Sequence, residues 1–289
     1  MKLPVLVSFA HSEEFALTVS EMAGAWSLML DSGAFTNWST GKEVVKLDAY
    51  RAFLLRHGRL FARYLNLDVI GDPVASRRNF DALRDAGLSP VPVFQRGGAA
   101  QELRRMVREA GFVCIGGISR NPQAQAEQAY MRQTLSIVRQ EGGSAHLLGV
   151  TGLSSLRALR PASCDSSTWS VADRFGRADL WSGYAFLPVK RKALKPTLAR
   201  GRALRSFGVT WEELRDPEAW KTKKRSDGTV ATGAARMLCA RSWMRYSRTL
   251  ARQGTALCLA TQKMFYNHES LLAAWEKEKH RWTKQPSRT

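Results

Sequence analysis

The chain has 289 residues, of which 44% are hydrophobic, so it can bury a large core as one α/β barrel with an appendage or as two modest domains. No stretch approaches the roughly 18 apolar residues of a membrane span, and the apolar start is too short for a signal peptide, so we expect a soluble, cytoplasmic protein. The net charge is +19, and from Leu187 onward 23 Lys and Arg stand against 8 Asp and Glu, which indicates a nucleic acid as the partner of the last third.

The first 187 residues alternate strand-like segments with helix-like ones. Six short segments of β-branched or aliphatic residues are predicted strands: 3–9, 26–30, 64–69, 90–94, 112–118 and 145–150. Amphipathic segments between them are predicted helices: 47–57, 77–86, 99–110 and 122–140. A steady succession of strand, helix and strand is typical of a parallel sheet with crossover helices.

Two later segments, 164–169 and 179–186, are candidates for completing eight strands. We therefore predict a (β/α)8 TIM-like barrel as the catalytic core, over residues 1–187. An open doubly wound sheet is the alternative. No GxGxxG opens a helix here, but its absence excludes only dinucleotide binding.

The remaining residues, 188–289, are predicted to form a basic, mainly helical appendage that binds nucleic acid, with completion of the barrel left open as a second role. A basic linker spans 190–195, and an exposed basic loop spans 221–229. Helices are predicted over 211–220, with Thr210 as N-cap, over 234–252 and over 269–282.

Basic side chains in this region form two candidate nucleic-acid contacts. Helical spacing places four of them in one stripe that is suited to tracking phosphates: Arg241, Arg245, Arg248 and Arg252. The loop supplies a second set: Lys223, Lys224 and Arg225. A solvated helix face is the plain alternative for the stripe.

Polar residues end several of the predicted strands: Asp31, Asp68 with Asp72, Gln95, Gly116 with Gly117, and Asp165. In a barrel those strand ends converge on one mouth. A single Asp after a strand is more often a turn former or a helix cap, and Asp72, in a Gly-Asp-Pro turn, is the least secure member. A pair of carboxylates suits chemistry at a glycosidic carbon, where one attacks the carbon and the other handles the proton of the base.

These motifs resemble those of the queuine and archaeosine tRNA-guanine transglycosylases. The sequence DSGAF at 31–35 is similar to the DSGGF signature of that family, and the other motifs follow in the family's order: NLD at 66–68, VFQ at 93–95, IGG at 115–117, HLLGV at 146–150 and CDS at 164–166. The resemblance covers roughly residues 25–185. The chain departs from the family at Ala34 and Thr36 and lacks the CxCxxC zinc motif, which makes it similar to the phage and bacterial DNA-guanine transglycosylases.

The resemblance implies a role for each matching residue. Asp165 would be the nucleophile that attacks C1′, and Asp31 the general acid and base for the leaving and incoming bases. The implied base-binding set is Asp68, Gln95, Gly116, Gly117, Phe35 and Ser32. The chemistry agrees with these roles, since a carboxylate accepts from the two adjacent donors of guanine and an amide or backbone N–H suits its O6.

The function implied is exchange of guanine in DNA for a 7-deazaguanine, such as the 7-cyano form, through a covalent glycosyl-enzyme with retention at C1′ and ping-pong kinetics. The expected partners are DNA, with its guanine flipped out of the duplex, and the free base. The expected location is the host cytoplasm if a phage encodes the chain. Neither a cofactor nor a metal is expected, and the oligomeric state is open.

Three alternatives remain from the sequence. The same exchange on tRNA differs only in the polymer. A DNA-binding barrel without catalysis would bind but release no base. A metal-dependent nuclease would use Asp31, Asp68 and Asp165 as ligands.

Several other polar residues have structural interpretations. Cys114 and Cys164 are predicted to be core thiols. Cys239, Cys258 and His268 lack zinc-site spacing. His146, at the start of a strand, is expected to be structural.

Overall fold

The computed structural model describes residues 2–11, 23–24, 26–42, 44–118, 121–170, 172–226, 230–261 and 264–283. It divides into two compact units. The sheet unit is Pro4–Asp165 with Gly254–Ala260, and the helical unit is Met1–Leu3, Ser166–Gln253 and Thr261–Thr289. The predicted boundary lay at residue 187. The observed units divide after Asp165 instead, and a short segment near residue 257 returns to the sheet unit.

The strands in chain order are β1 (Leu3–Ser8), β2 (Trp26–Asp31), β3 (Arg63–Tyr64), β4 (Val93–Phe94), β5 (Phe112–Ile115), β6 (Ser144–Leu147), β7 (Ser163–Ser166), β8 (Arg177–Trp181), β9 (Phe186–Lys190), β10 (Lys223–Lys224), β11 (Val230–Ala231) and β12 (Ala256–Thr261). Eight of them form one sheet in the order β3-β2-β1-β12-β7-β6-β5-β4. The β2–β3, β4–β5, β5–β6 and β6–β7 pairs are parallel, as predicted.

The two ends of this strand order are joined by backbone contacts. Leu65, next to β3, bridges Val91, near β4, in parallel register. Val91 donates its N–H to the Tyr64 carbonyl, and the Asn66 N–H donates to the Val91 carbonyl, both at 2.8 Å. The sheet is therefore curled, as expected of a TIM-like α/β fold.

The prediction that residues 179–186 form a barrel strand is wrong. That stretch lies in the antiparallel β8–β9 hairpin, in which Trp181 is opposite Phe186. The Ser182 N–H donates to the Ala185 carbonyl at 3.0 Å and closes a tight turn between the two strands. A turn this short can join only antiparallel strands, because parallel strands need a long crossover connection. The eighth strand of the sheet is β12. The other candidate, 164–169, overlaps β7.

The helices are α1 (Ala34–Thr40), α2 (Leu47–His57), α3 (Pro73–Asp85), α4 (Ala100–Ala110), α5 (Gln125–Gln140), α6 (Leu153–Leu159), α7 (Ala172–Phe175), α8 (Leu198–Phe207), α9 (Trp211–Arg215), α10 (Ala234–Ala251) and α11 (Met264–Thr283). The helix predicted from residue 77 begins four residues earlier. Asp72 caps it by accepting from the Ala75 N–H at 2.9 Å, and Pro73 fills the first turn.

Residues of the sheet form a buried apolar cluster: Leu6, Met29, Leu65, Val91, Val93, Cys114, Cys258 and Ala260. Its members lie in strands spread along the chain, β12 included, or directly beside them. Cys114 and Cys164 are fully buried, which confirms that they are core thiols. This packing holds the strand ends in fixed positions.

The helical unit contains α7 to α11 and the hairpins β8–β9 and β10–β11. The helix predicted over 211–220 ends early, because α9 stops at Arg215 and a separate 3-10 turn spans Pro217–Trp220, while the helix predicted over 269–282 lies within α11. Thr210 caps α9 through a capping box with Glu213, and α10 matches the predicted 234–252 to within one residue. Trp181, Phe186, Trp243 and Tyr246 form an aromatic cluster with ring centroids 4.7 to 5.8 Å apart. Among the described helices, none is long and apolar enough to cross a membrane.

Candidate active site

The polar strand ends of the sheet unit meet at one edge. Asp31 ends β2, Asp68 follows β3, Gln95 follows β4 and Asp165 lies in β7, and the carboxyl ends of parallel strands share an edge. Desolvation is the main cause that raises the pKa of Asp31 and of Asp68, and a neighbouring negative charge adds to it, from Asp165 in the first case and from Asp31 in the second. The structure thus brings together the three carboxylates predicted from the sequence.

Asp31 is desolvated, and the turn that follows it requires glycine at position 33. Burial and the charge of Asp165 raise its pKa to about 6, against the opposing effect of a hydrogen bond from Ser8. The Gly33 N–H donates to Asp31 Oδ2 at 3.2 Å. Gly33 has φ +91°, and a Cβ there would lie 2.8 Å from the Cβ of Ala10.

Asp165 is held through one oxygen. Its Oδ1 accepts the Gly149 N–H at 2.8 Å and lies 3.1 Å from His146 Nε2. The other ring nitrogen of His146, Nδ1, lies 2.8 Å from Ser163 Oγ. The Asp165 side chain is 15% exposed, whereas His146 is fully buried, so only the carboxylate is open to a ligand.

His146 belongs to this candidate site, although its sequence position indicated only a structural role. The expectation of a structural role overlooked that the β6–β7 register puts His146 opposite Ser163. Because alternate residues of a strand share a face, Ser163 and Asp165 both lie on the side of β7 that His146 contacts. That spacing, Ser-x-Asp beside a strand with a His, is the signal that was available.

Asp68 and Gln95 form a second polar pair. Gln95 Nε2 donates to Asp68 Oδ2 at 2.7 Å. Burial raises the pKa of Asp68 to about 6, although the Gln95 hydrogen bond opposes the rise. A Cβ on Gly116 would lie 2.7 Å from Gln95 Oε1, so the amide packs directly on this glycine.

The two predicted glycines have different environments. Gly116 is buried, and its N–H donates to the Phe94 carbonyl at 2.8 Å within the sheet, so this amide is not free for a base. Gly117 is exposed, with φ +68°, and its N–H has no partner among the residues that the structure describes. Of the predicted pair, Gly117 alone offers a donor.

One further predicted site residue, Ser32, differs from expectation. Ser32 is fully buried, and its Oγ accepts the Ala34 N–H at 3.4 Å, so it shapes the turn before α1 and is not placed to bind a base. Asp72 is a helix cap, as its turn sequence suggested. Phe35 is 61% exposed on α1, with its ring 5.6 Å from that of Trp38, which is 59% exposed.

The predicted arginine stripe is largely internal to the helical unit. Arg241 and Arg245 each place Nε 2.9 Å from a carboxylate oxygen of Glu278, which is fully buried. Their side chains are only 12% and 15% exposed, and the Arg245 guanidinium lies 3.6 Å from the centroid of the Phe207 ring. These two arginines therefore hold α10 to α11 and are not available to phosphates.

The remaining predicted basic residues are more open. Arg252 and Arg225 are exposed, and Lys223 pairs with Glu218. Burial and the charges of Arg252 and Arg281 lower the pKa of Arg248. The side chain of Lys224 and residues 227–229 lie outside the described part of the chain.

Within the described ranges, no three His, Cys, Asp or Glu side chains are arranged to hold a metal ion. The three site carboxylates are therefore not grouped as the ligands of one metal.

No protein-family model matches the chain, and no curated protein matches it. Solved structures similar to it include the tryptophan synthase subunit alpha from Campylobacter jejuni, at 14% identity and TM-score 0.34, and the PaMucR phosphodiesterase in complex with c-di-GMP, at 18% and 0.32. The matches cover 50% of this chain in both cases, with 58% of the first neighbour and 67% of the second. The chain thus spans just over half the length of the synthase subunit. Neither likeness carries an argument about function, so the resemblance to transglycosylases depends on the motifs alone.

Proposed function

We propose that the sheet unit exchanges guanine in DNA for a 7-deazaguanine, such as the 7-cyano form, through a glycosyl-enzyme on Asp165. One observation carries the proposal: two neighbouring carboxylates at the sheet edge have different environments. Asp31 is partly exposed and has a pKa raised to about 6, chiefly by desolvation, while Asp165, also partly exposed, is anchored through Oδ1 by the Gly149 N–H and His146. A carboxyl group with a raised pKa suits a general acid, and a carboxylate held in a fixed orientation suits a nucleophile.

In the first step, the carboxylate of Asp165 attacks C1′ of the target nucleotide as the bond between C1′ and guanine breaks. Asp31 gives its proton to the departing base, so guanine leaves neutral. In the second step, ionised Asp31 takes the N9 proton of the incoming base, N9 attacks C1′, and Asp165 is released. Two inversions give net retention, and the first product leaves before the second base binds.

The base would be held by the second polar pair. An ionised Asp68 accepts from the ring N–H and the exocyclic amine of guanine, and its bond to Gln95 fixes the amide beside Gly116. The Gly117 N–H, exposed and unpartnered in the described residues, is the donor suited to O6. Exposed Phe35 offers an aromatic surface for stacking.

DNA is the polymer we propose, with the basic helical unit as its binding surface. Support comes from the net charge of +19 and from exposed side chains such as Arg225 and Arg252. An internal base has to be flipped out of the stack, at a cost of a few kcal/mol.

The test is mass spectrometry of nucleosides after incubation of the full chain with 7-cyano-7-deazaguanine and either duplex DNA or tRNA. We expect the modified deoxynucleoside and release of one guanine per exchange. Modification confined to tRNA would overturn the choice of polymer, binding without base release would favour the non-catalytic alternative, and Mg²⁺-dependent strand cleavage would favour a nuclease.

The nucleophile is tested with Asp165→Asn. We expect no covalent adduct with guanine-containing DNA and a loss of exchange of more than about 10³-fold. Asp72→Asn is the matched control, because Asn caps a helix as well as Asp does. Exchange at the wild-type rate in Asp165→Asn would show that another group attacks C1′.

A further inference from the structure

His146 and Ser163 form a hydrogen-bonded chain that ends on Asp165. Ser163 Oγ lies 2.8 Å from Nδ1 of His146, and Nε2 lies 3.1 Å from Oδ1 of Asp165. The imidazole is fully buried, and β6 and β7 hold both ends of the chain in adjacent register. This arrangement is fixed by the sheet and not by a mobile loop.

The contact with Asp165 requires a proton on Nε2 of His146. A nucleophilic carboxylate is ionised and only accepts hydrogen bonds, so Nε2 has to donate to it. The Ser163 hydroxyl either donates to Nδ1 or accepts from it, and in both cases the Nε2 proton stays directed at Asp165.

Both donors act on the same oxygen of Asp165. Oδ1 accepts from His146 and from the Gly149 N–H, at 3.1 and 2.8 Å. Oδ2 has no hydrogen-bond partner among the residues described. The carboxylate is thus oriented with one oxygen bound by protein and the other open.

We infer that His146 is a positioning residue that assigns the two oxygens of Asp165 separate tasks, with Oδ2 attacking C1′ and Oδ1 receiving charge when the glycosyl-enzyme breaks down. This inference rests on the proposed function. In the ester, Oδ2 is bonded to C1′ and Oδ1 is the carbonyl oxygen. When the incoming base displaces Asp165, the electron pair of the broken bond returns to the carboxylate, and the donors from His146 and Gly149 stabilise that charge.

The inference predicts an unequal effect on the two half-reactions. A hydrogen bond to the free carboxylate of Asp165 stabilises its negative charge and makes it a weaker nucleophile. Loss of this hydrogen bond should therefore not slow the attack on C1′. The same bond makes the carboxylate a better leaving group, so its loss slows breakdown. His146→Phe should therefore accumulate the covalent adduct, with breakdown slowed about 10- to 100-fold and formation changed much less.

The experiment measures adduct formation and breakdown separately, by denaturing gel and single-turnover release of labelled guanine, in four proteins of full length. His146→Gln keeps an N–H at the reach of Nε2 and should restore breakdown to within a few-fold of the wild type. Ser163→Ala frees Nδ1 and should slow breakdown less than His146→Phe does. Thermal melting of each variant reports folding.

The outcomes separate this inference from the proposed function. If the wild type forms no adduct with DNA, the proposed function fails. If the wild type forms the adduct but His146→Phe slows both half-reactions equally, or His146→Gln is no better than His146→Phe, then His146 only packs and the inference fails. If His146→Phe does not fold, the breakdown rates of His146→Gln, Ser163→Ala and the wild type decide. Equal breakdown rates in all three proteins would contradict the inference.

Discussion

Each unit of the molecule contains a cluster of buried or partly buried charged groups, and the two clusters differ in how the charges are compensated. In the sheet unit, Asp31 and Asp68 have raised pKa values, and no Lys or Arg of the described residues pairs with them or with Asp165. In the helical unit, buried Glu278 binds Arg241 and Arg245. Compensated charges hold a structure together, whereas uncompensated ones cost stability and are typical of functional sites.

The compensated charges of the helical unit depend most on Glu278. Glu278→Gln keeps the shape but leaves two nearly buried arginines without a negative partner, so we expect a loss of about 3–5 kcal/mol in the free energy of unfolding. Chemical denaturation measures it. Glu276→Gln is the control, since Glu276 pairs with Lys279 at the surface and should cost no more than about 1 kcal/mol. Equal effects in the two variants would remove the contrast between the clusters.

Asp31→Asn should change stability in the opposite direction. The folded pKa of about 6 lies above the ordinary 3.8, so the folded state binds the proton more tightly, and the carboxyl costs stability as the pH rises through that window. We expect Asp31→Asn to gain up to about 3 kcal/mol above pH 6 and to gain nothing below about pH 4. Exchange should fall about 10²- to 10⁴-fold.

Urea denaturation at several pH values checks this prediction, with Asp72→Asn as the surface control. If Asp31→Asn were destabilised at pH 8, Asp31 would not be an uncompensated charge, and the division of roles between Asp31 and Asp165 would lose its support.

The sequence predicts the three carboxylates of the sheet unit and the stripe of arginines in the helical unit, but not what surrounds them. The carboxylates could be grouped because parallel strands share a carboxyl edge. The helical repeat shows that Arg241 and Arg245 lie on one stripe, yet it does not show that Glu278, more than thirty residues later, covers that stripe. Pairing at such separations is set by tertiary packing, which leaves no local signal.

The same limit applies to the fold. The alternation of strands and helices predicts a parallel sheet. Along the sequence, however, residues 167–253 of the helical unit come between β7 and β12, so no local pattern assigns β12 to the sheet. Residues 179–186 are as apolar as a barrel strand, and only the turn at Ser182 distinguishes a hairpin. Burial of Ser32 likewise depends on packing around the Gly33 turn.

The acidic cluster also predicts a pH profile. Asp31 has to be protonated to release guanine, and Asp68 has to be ionised to hold it, and both have a pKa of about 6. The exchange rate should therefore peak near pH 6 and fall on both sides. Asp68→Asn should lower kcat/KM about 10- to 100-fold and abolish the acid limb. Steady-state exchange between pH 4.5 and 8.5 measures this, and an acid limb that persists in Asp68→Asn would assign it to another group.

The smallest expected effect distinguishes exposed arginines from buried ones. Arg252 and Arg225 are exposed, so replacing either with Ala should leave folding unchanged and lower the slope of log Kd for DNA against log salt by about 1. Arg241→Ala should destabilise the helical unit and, measured on the folded fraction, leave that slope unchanged, because its guanidinium is already bound to Glu278. Salt titrations of fluorescent DNA binding compare the three. A slope that falls with Arg241→Ala alone would mean that DNA displaces Glu278, so that the compensated cluster would itself be the binding site.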